Sequence, residues 1–130
     1  MLALSLFPLL LWQGRRTRRI TPRVPEAAGA RTGQVASVAS PADTLRLLAL
    51  GESPVAGVGV ESQQQAITSR FAHHLAQQQQ CAVTWQALGK NGATVADAIS
   101  QLLPHVPTQQ QDIVLVAFGV NDTSSFRSVA

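Results

Sequence analysis

Three short apolar runs, separated by two stretches in which apolar residues recur every three or four positions, organise the chain from residue 44 onward. Residues 44–50 (TLRLLAL) are bounded by Asp43 and Gly51, the pattern of a strand buried on both faces. After a glycine-rich turn, Ser62 is expected to cap a helix that carries Ala66, Ile67, Phe71, His74 and Leu75 at helical spacing. Residues 82–88 (AVTWQAL) alternate and contain β-formers, with Cys81 as a small core residue at their start. Residues 94–103 set Val95, Ile99, Leu102 and Leu103 on one helical face, and Pro104 ends that helix. The strongest buried-strand signal is at residues 112–119 (DIVLVAFG). Glutamine clusters at 63–65, 77–80 and 109–111 are expected on the solvated surface.

This βαβαβ order predicts an α/β fold, three-layer α/β/α with a parallel sheet and right-handed crossovers. Ligands in such sheets sit at the carboxyl ends of the strands. The junctions to inspect are therefore Gly51-Glu52-Ser53, Gly89-Lys90-Asn91-Gly92 and Gly119-Val120-Asn121-Asp122. Three strands are few for a doubly wound sheet, and one edge of the third is left unpaired.

Residues 1–12 (MLALSLFPLLLW) are apolar except for Ser5 and run into an arginine cluster at 15–19. Twelve helical residues reach about 18 Å, short of a hydrocarbon core of roughly 30 Å, and Pro8 interrupts the run. A secretory signal would place its positive charge before the apolar stretch, whereas here it follows. Residues 1–19 are read as an interfacial anchor, with Trp12 at headgroup level and the arginines on anionic lipid; packing on the domain is the alternative. Association with a membrane is thus expected, on a cytoplasmic or periplasmic face that the pattern does not distinguish. Residues 20–43 turn to Pro, Ala, Gly, Ser and Thr without periodicity and read as a linker, so residues 44–130 form the domain.

Charge sharpens this division. Of the ten basic residues, six (Arg15, Arg16, Arg18, Arg19, Arg23 and Arg31) lie in the first quarter, and the four that follow are set against six acidic residues, so the excess behind the net charge of +3 lies at the start of the chain. The body offers no basic stripe with interleaved aromatics, which argues against nucleic acid as a partner. The single cysteine excludes an intrachain disulfide, and no Cys/His spacing suggests a zinc site, so neither metal nor cofactor is expected.

Gly89-Lys90 is followed by Asn91 rather than Ser or Thr, so it is no P-loop; a dinucleotide fingerprint would need glycine where Ser62 stands. Nucleotide binding is thereby a minor reading. The Gly-x-Ser-x-Gly elbow uses the N–H of the residue after its serine as an oxyanion donor, and here that residue is Pro54, which has none. Pro54 instead suits the first turn of a helix, leaving the Ser53 N–H at its start and Ser53 extended before it. Taken singly, Ser53 reads as a helix cap, Gly92 as a tight-turn glycine and Asn121-Asp122 as a turn.

Together, Gly51-Glu52-Ser53, Gly92 and Gly119-Val120-Asn121-Asp122 resemble the blocks of the SGNH or GDSL hydrolase family over residues 44–122. The leader, with its Pro-Glu-Ala segment, resembles that of bacterial membrane-anchored members. The resemblance implies a flavodoxin-like SGNH hydrolase fold and a serine esterase or lipase-like activity on a small-molecule or lipid ester. Ser53 would be the nucleophile; the backbone N–H groups of Ser53 and Gly92 and the side-chain amide of Asn121 would form the oxyanion hole. Gly51, Glu52, Gly119 and Asp122 would support the loops. Two departures stand out. Glu52 replaces the family's aspartate, one methylene longer, so bonds that fix the loop must shift. The family's Asp-x-x-His base is unmatched by His73, His74 or His105. The expectation is therefore an N-terminal part of such a domain, weak or inactive by itself, with a non-catalytic membrane- or partner-binding module as the alternative.

Overall fold

The structure, a computed structural model, describes residues 6–22, 24–37 and 44–124. The first five residues of the apolar run, residues 38–43 at the end of the expected linker and residues 125–130 of the expected domain lie outside them. Helix α1 spans Phe7–Ile20, strand β1 Thr32–Val35, β2 Thr44–Gly51, α2 Ser53–Ala56, α3 Ile67–Gln79, β3 Ala82–Gly89, α4 Val95–Asp97, β4 Ile113–Ala117 and α5 Val120–Ser124.

The strands lie in the order β1-β3-β2-β4, with β2 parallel to both β3 and β4. The chain therefore leaves β2 on one side and returns past it to the other, and right-handed connections set the two crossovers on opposite faces. On one face Leu47, Ala49, Val83, Trp85 and Ala87 form the core with Ala72 and Ala76 of α3. Burying such apolar area contributes about 25 cal/mol per Å².

The sheet has a fourth strand that the composition of residues 20–43 hides. β1 pairs antiparallel with β3, opposing Gly33 to Trp85, which makes the sheet mixed rather than purely parallel. A Cβ on Gly33 would lie 2.6 Å from the Trp85 ring. The missing side chain is what lets the indole lie across β1, only 5% exposed. Four residues reading TGQV carry no strand pattern of their own because the partner strand supplies the packing.

The helix faces also differ from expectation. In α3 the buried residues are Thr68, Ser69, Ala72 and Ala76, while Ile67 and Phe71 are exposed. Small side chains allow α3 to approach β3 closely, so the interior stripe is the small one. Gln63 caps the difference: expected on the surface, it is fully buried, donating through Nε2 to the carbonyls of Ala27 at 3.3 Å and Ala56 at 3.0 Å. The helix expected over 94–103 winds tighter and wider in turn, with α4 followed by a π-helical turn over Ala98–Leu102 and a 3-10 turn over Leu103–His105. Ala98 and Leu102 face inward, whereas Val95, Ile99 and Leu103 are exposed. β4, expected as the most clearly buried strand, is covered on one face: Ile113, Leu115 and Ala117 pack on the core, and Val114 and Val116 are exposed.

Pro8 lies in the first turn of α1, where its missing N–H removes no helical bond, so it starts this helix rather than interrupting it. The helix carries the arginine cluster to Ile20, and the Arg16 guanidinium stands 5.6 Å over the Trp12 ring. Among the described residues, no helix is long and apolar enough to cross a membrane.

Candidate active site

The parallel register brings the three junctions side by side. Gly51 at the end of β2 pairs with Gly89 of β3 and Ala117 of β4. Beyond the ladder, Glu52 N–H donates to the Ala117 carbonyl at 3.0 Å and Lys90 N–H to the Gly51 carbonyl at 3.2 Å. Helix α2 sits directly on this row of small residues: a Cβ on Gly89 would lie 2.4 Å from the Ala56 nitrogen, and one on Gly51 2.3 Å from Val55 Cγ2. Neither glycine has the left-handed φ of a turn residue; what each provides is room for the helix that begins with Ser53. Ser53 is itself the first helical residue, one position earlier than the extended conformation expected before Pro54.

Two carboxylates connect the junctions. Glu52 is 4% exposed, and its Oε1 accepts from Val120 N–H at 3.0 Å while Oε2 accepts from Asn121 N–H at 3.2 Å and from the Asn121 side-chain amide. The longer glutamate arm thus reaches across from the first junction to the third. A buried carboxylate is tolerated only when its lone pairs are filled in this way. Asp122 performs the matching task toward the second junction, where its carboxylate accepts from Val95 N–H at 3.0 Å. The Thr94–Asp97 capping box secures the same turn of α4. Gly92, just before it, has φ +78°, a conformation that side chains with a Cβ rarely adopt.

The Ser53 hydroxyl donates to Asn91 Oδ1 at 2.9 Å. Among the described residues, neither the Ser53 nor the Gly92 backbone N–H donates a hydrogen bond within the protein. Two of the three groups expected around the oxyanion are thus available as donors. The third is engaged: the Asn121 amide donates to Glu52 and, at 3.0 Å, to the Ala93 carbonyl, rather than pointing into open space beside Ser53. No described histidine shares a hydrogen bond with Ser53, and no three described His, Cys, Asp or Glu residues gather as metal ligands.

Asn91 and Glu26 are contacts that the sequence reading passed over. Asn91 N–H donates to Glu26 Oε1 at 2.6 Å, and its Nδ2 donates to the Val24 carbonyl at 3.3 Å. Glu26 also pairs with Arg31, which in turn donates to the Gly89 carbonyl. Residues 24–31, expected as linker, lie along the edge of the site.

A serine, two unpaired N–H groups and an Asn-Asp turn, gathered at the carboxyl ends of adjacent parallel strands, are the layout of a doubly wound α/β protein with its polar site at the strand ends. Residues 49–130 match the GDSL-like Lipase/Acylhydrolase family, and the chain belongs to that family. The fold is also similar to that of AlinE4, a SGNH-hydrolase family esterase known from its crystal structure. The TM-score is 0.59 at 20% identity, over 68% of this chain and 47% of that one. The chain spans about half the length of that protein. No curated protein matches it.

Proposed function

We propose that Ser53 is the nucleophile of a serine esterase acting on carboxylic esters, and that the part of the site held by this chain comprises the nucleophile and its oxyanion donors. The observation that carries the reading is the pair of N–H groups at Ser53 and Gly92 that donate to no described residue, on loops braced by Glu52 and Asp122. Ser53 Oγ attacks the ester carbonyl carbon, and the carbonyl oxygen gathers negative charge between the two N–H donors. The Asn121 amide joins them when it turns from the Ala93 carbonyl toward that oxygen. Each preorganised donor of this kind lowers the barrier by about 3–4 kcal/mol. Asn91 Oδ1, the present acceptor of the Ser53 proton, is a neutral amide oxygen and holds the hydroxyl without taking its proton. Turnover by these residues alone is therefore expected to be slow, since loss of the base from such a serine costs on the order of 10⁶-fold.

The test is fluorophosphonate labelling at alkaline pH, where hydroxide can accept the proton, followed by peptide mass spectrometry. The expected result is one adduct on the peptide containing Ser53, lost in Ser53→Ala and after denaturation. An adduct that persists in Ser53→Ala, or no adduct in the folded protein, would point to the non-catalytic binding module instead.

A second reading concerns α1, whose Leu9, Leu10 and Trp12 are exposed beside Arg15, Arg16 and Arg19. Exposed apolar and cationic side chains on one helix suit an anionic lipid surface. The protein should sediment with vesicles containing phosphatidylserine and much less with phosphatidylcholine alone; Trp12→Ala should weaken binding. Equal recovery with both vesicle types would refute this.

A further inference from the structure

We propose that Glu26 is a positioning residue for the nucleophile: through Asn91 it fixes both the Ser53 hydroxyl and the loop that presents the Gly92 N–H. The inference rests on the esterase reading given above, and it adds a residue 27 positions before the serine, in a segment without strand or helix pattern.

The contacts form a chain with one break point. Among the described residues, Ser53 Oγ is bonded to one side chain, Asn91. Asn91 in turn is held at its backbone by Glu26 Oε1, at 2.6 Å, and at its side-chain amide by the Val24 carbonyl. Because Nδ2 is occupied by Val24, the amide plane is oriented with Oδ1 toward Ser53, and the rotamer of the serine follows. The Asn91 N–H that Glu26 holds is one peptide from Gly92, so the same bond sets where the Gly92 N–H points. Glu52 and Asp122 brace the third junction against the first and second, but neither bonds to Asn91. Without Glu26, the ends of the loop stay tied, Lys90 N–H to the Gly51 carbonyl and the Ala93 carbonyl to the Asn121 amide, but the Asn91 backbone N–H between them loses its acceptor.

Glu26 is itself anchored. Its Oε2 pairs with Arg31, whose other nitrogen donates to the Gly89 carbonyl, at the end of β3. Ala27 N–H donates to the Ala56 carbonyl, at the end of the helix that starts with Ser53, and Gln63 bridges the same two residues. Residues 24–31 are thus bonded to the first and second junctions at once, as a strap would be. Glu26 carries the strap's contact with the Asn91 backbone, at a site where a displacement of the order of 1 Å in reacting groups costs up to 10²-fold in rate.

The test uses the full chain with Glu26→Ala and Glu26→Gln, each first checked for folding by urea denaturation. Glutamine keeps an acceptor oxygen for the Asn91 N–H, whereas alanine keeps none. Two readouts follow. In a ¹⁵N–¹H spectrum, the Asn91 amide proton should lie downfield in the unaltered protein and move upfield in Glu26→Ala, with the Ser53 and Gly92 amides shifting as well. The rate of fluorophosphonate labelling at Ser53 should fall about tenfold in Glu26→Ala and stay within about twofold in Glu26→Gln. Labelling of Glu26→Ala at the unaltered rate, or equal losses in both variants, would overturn the proposal. Absence of labelling in the unaltered protein would overturn the esterase reading, and the spectrum then decides the positioning role separately: unmoved Ser53 and Gly92 amides would refute it. If Glu26→Ala does not fold, Glu26→Gln must leave those amides in place, and displacement of them would refute the role.

Discussion

Gly89→Ala is expected to cost more than about 3 kcal/mol, enough to unfold a marginal domain of this size. The new methyl carbon would stand 2.4 Å from the Ala56 nitrogen and 2.6 Å from the Val55 carbonyl carbon, both backbone atoms that cannot rotate away. Relief requires either lifting α2 off the sheet or bending the end of β3. Lifting α2 moves Ser53 away from the Gly92 loop; bending β3 strains the parallel pairing of Gly51 with Gly89 and the Arg31 contact with the Gly89 carbonyl. Overpacking in a close-packed interior typically costs 1–3 kcal/mol, and a backbone obstacle puts this site at the upper end or beyond. Gly59→Ala is the control. Its Cβ would meet nothing within 4 Å, so only the left-handed φ of +93° opposes it, and the loss should be about 1 kcal/mol. Urea denaturation of both variants checks the contrast. Equal midpoints would mean that α2 does not rest on Gly89 as described.

The comparison of these glycines shows what the sequence could and could not convey. A glycine at the end of an apolar run reads from sequence alone as no more than the start of a strand-to-loop junction, which is all that Gly51 and Gly89 offer there. Their actual task is to admit another segment's backbone, a requirement written in the position of Val55 and Ala56 and not in the neighbouring letters. The same reasoning explains the missed strand. β2, β3 and β4 were legible because their apolar patterns are local, but β1 owes its place to the Trp85 ring more than fifty residues away. The helix faces were misread for a related reason. Spacing arguments rank residues by hydrophobicity, whereas α3 approaches the sheet on Thr68, Ser69, Ala72 and Ala76, where size decides.

Of the candidate site, the sequence carried the loop residues and the exclusion at Pro54, since each follows from residue type and junction position. It did not carry the wiring. Asn91 was visible only as the neighbour of Gly92, and its partner Glu26 lies 65 residues earlier, inside a segment whose composition suggests no structure. The position of Asn121 was legible, but its amide direction was not, because that depends on an acceptor 69 residues away.

That acceptor sets the second large effect. Glu52→Ala should lower stability by about 3–4 kcal/mol, because it leaves the Val120 and Asn121 backbone N–H groups without their acceptor and removes the charged one of the Asn121 amide's acceptors, the Ala93 carbonyl remaining. A hydrogen bond to a charged group contributes about 1.5–3 kcal/mol, and part of the loss is recovered where water reaches the exposed Val120. Glu52→Gln separates charge from shape. One oxygen remains to accept, but the new NH₂ faces donors, and the expected loss is about 2–3 kcal/mol. Glu52→Asp restores the residue type of the family's signature and retracts the carboxylate by one methylene. Its cost should be the smallest of the three, about 1–2 kcal/mol, because the carboxylate survives and only its reach is lost. Urea denaturation gives the ordering, and amide hydrogen exchange at Val120 and Asn121 locates it: both should exchange faster in Glu52→Ala, while the Asn91 amide, held by Glu26 from the other side, stays protected. If alanine and aspartate at position 52 are equally stable, or if the Asn91 amide loses protection together with Val120, the two carboxylates do not brace separate loops.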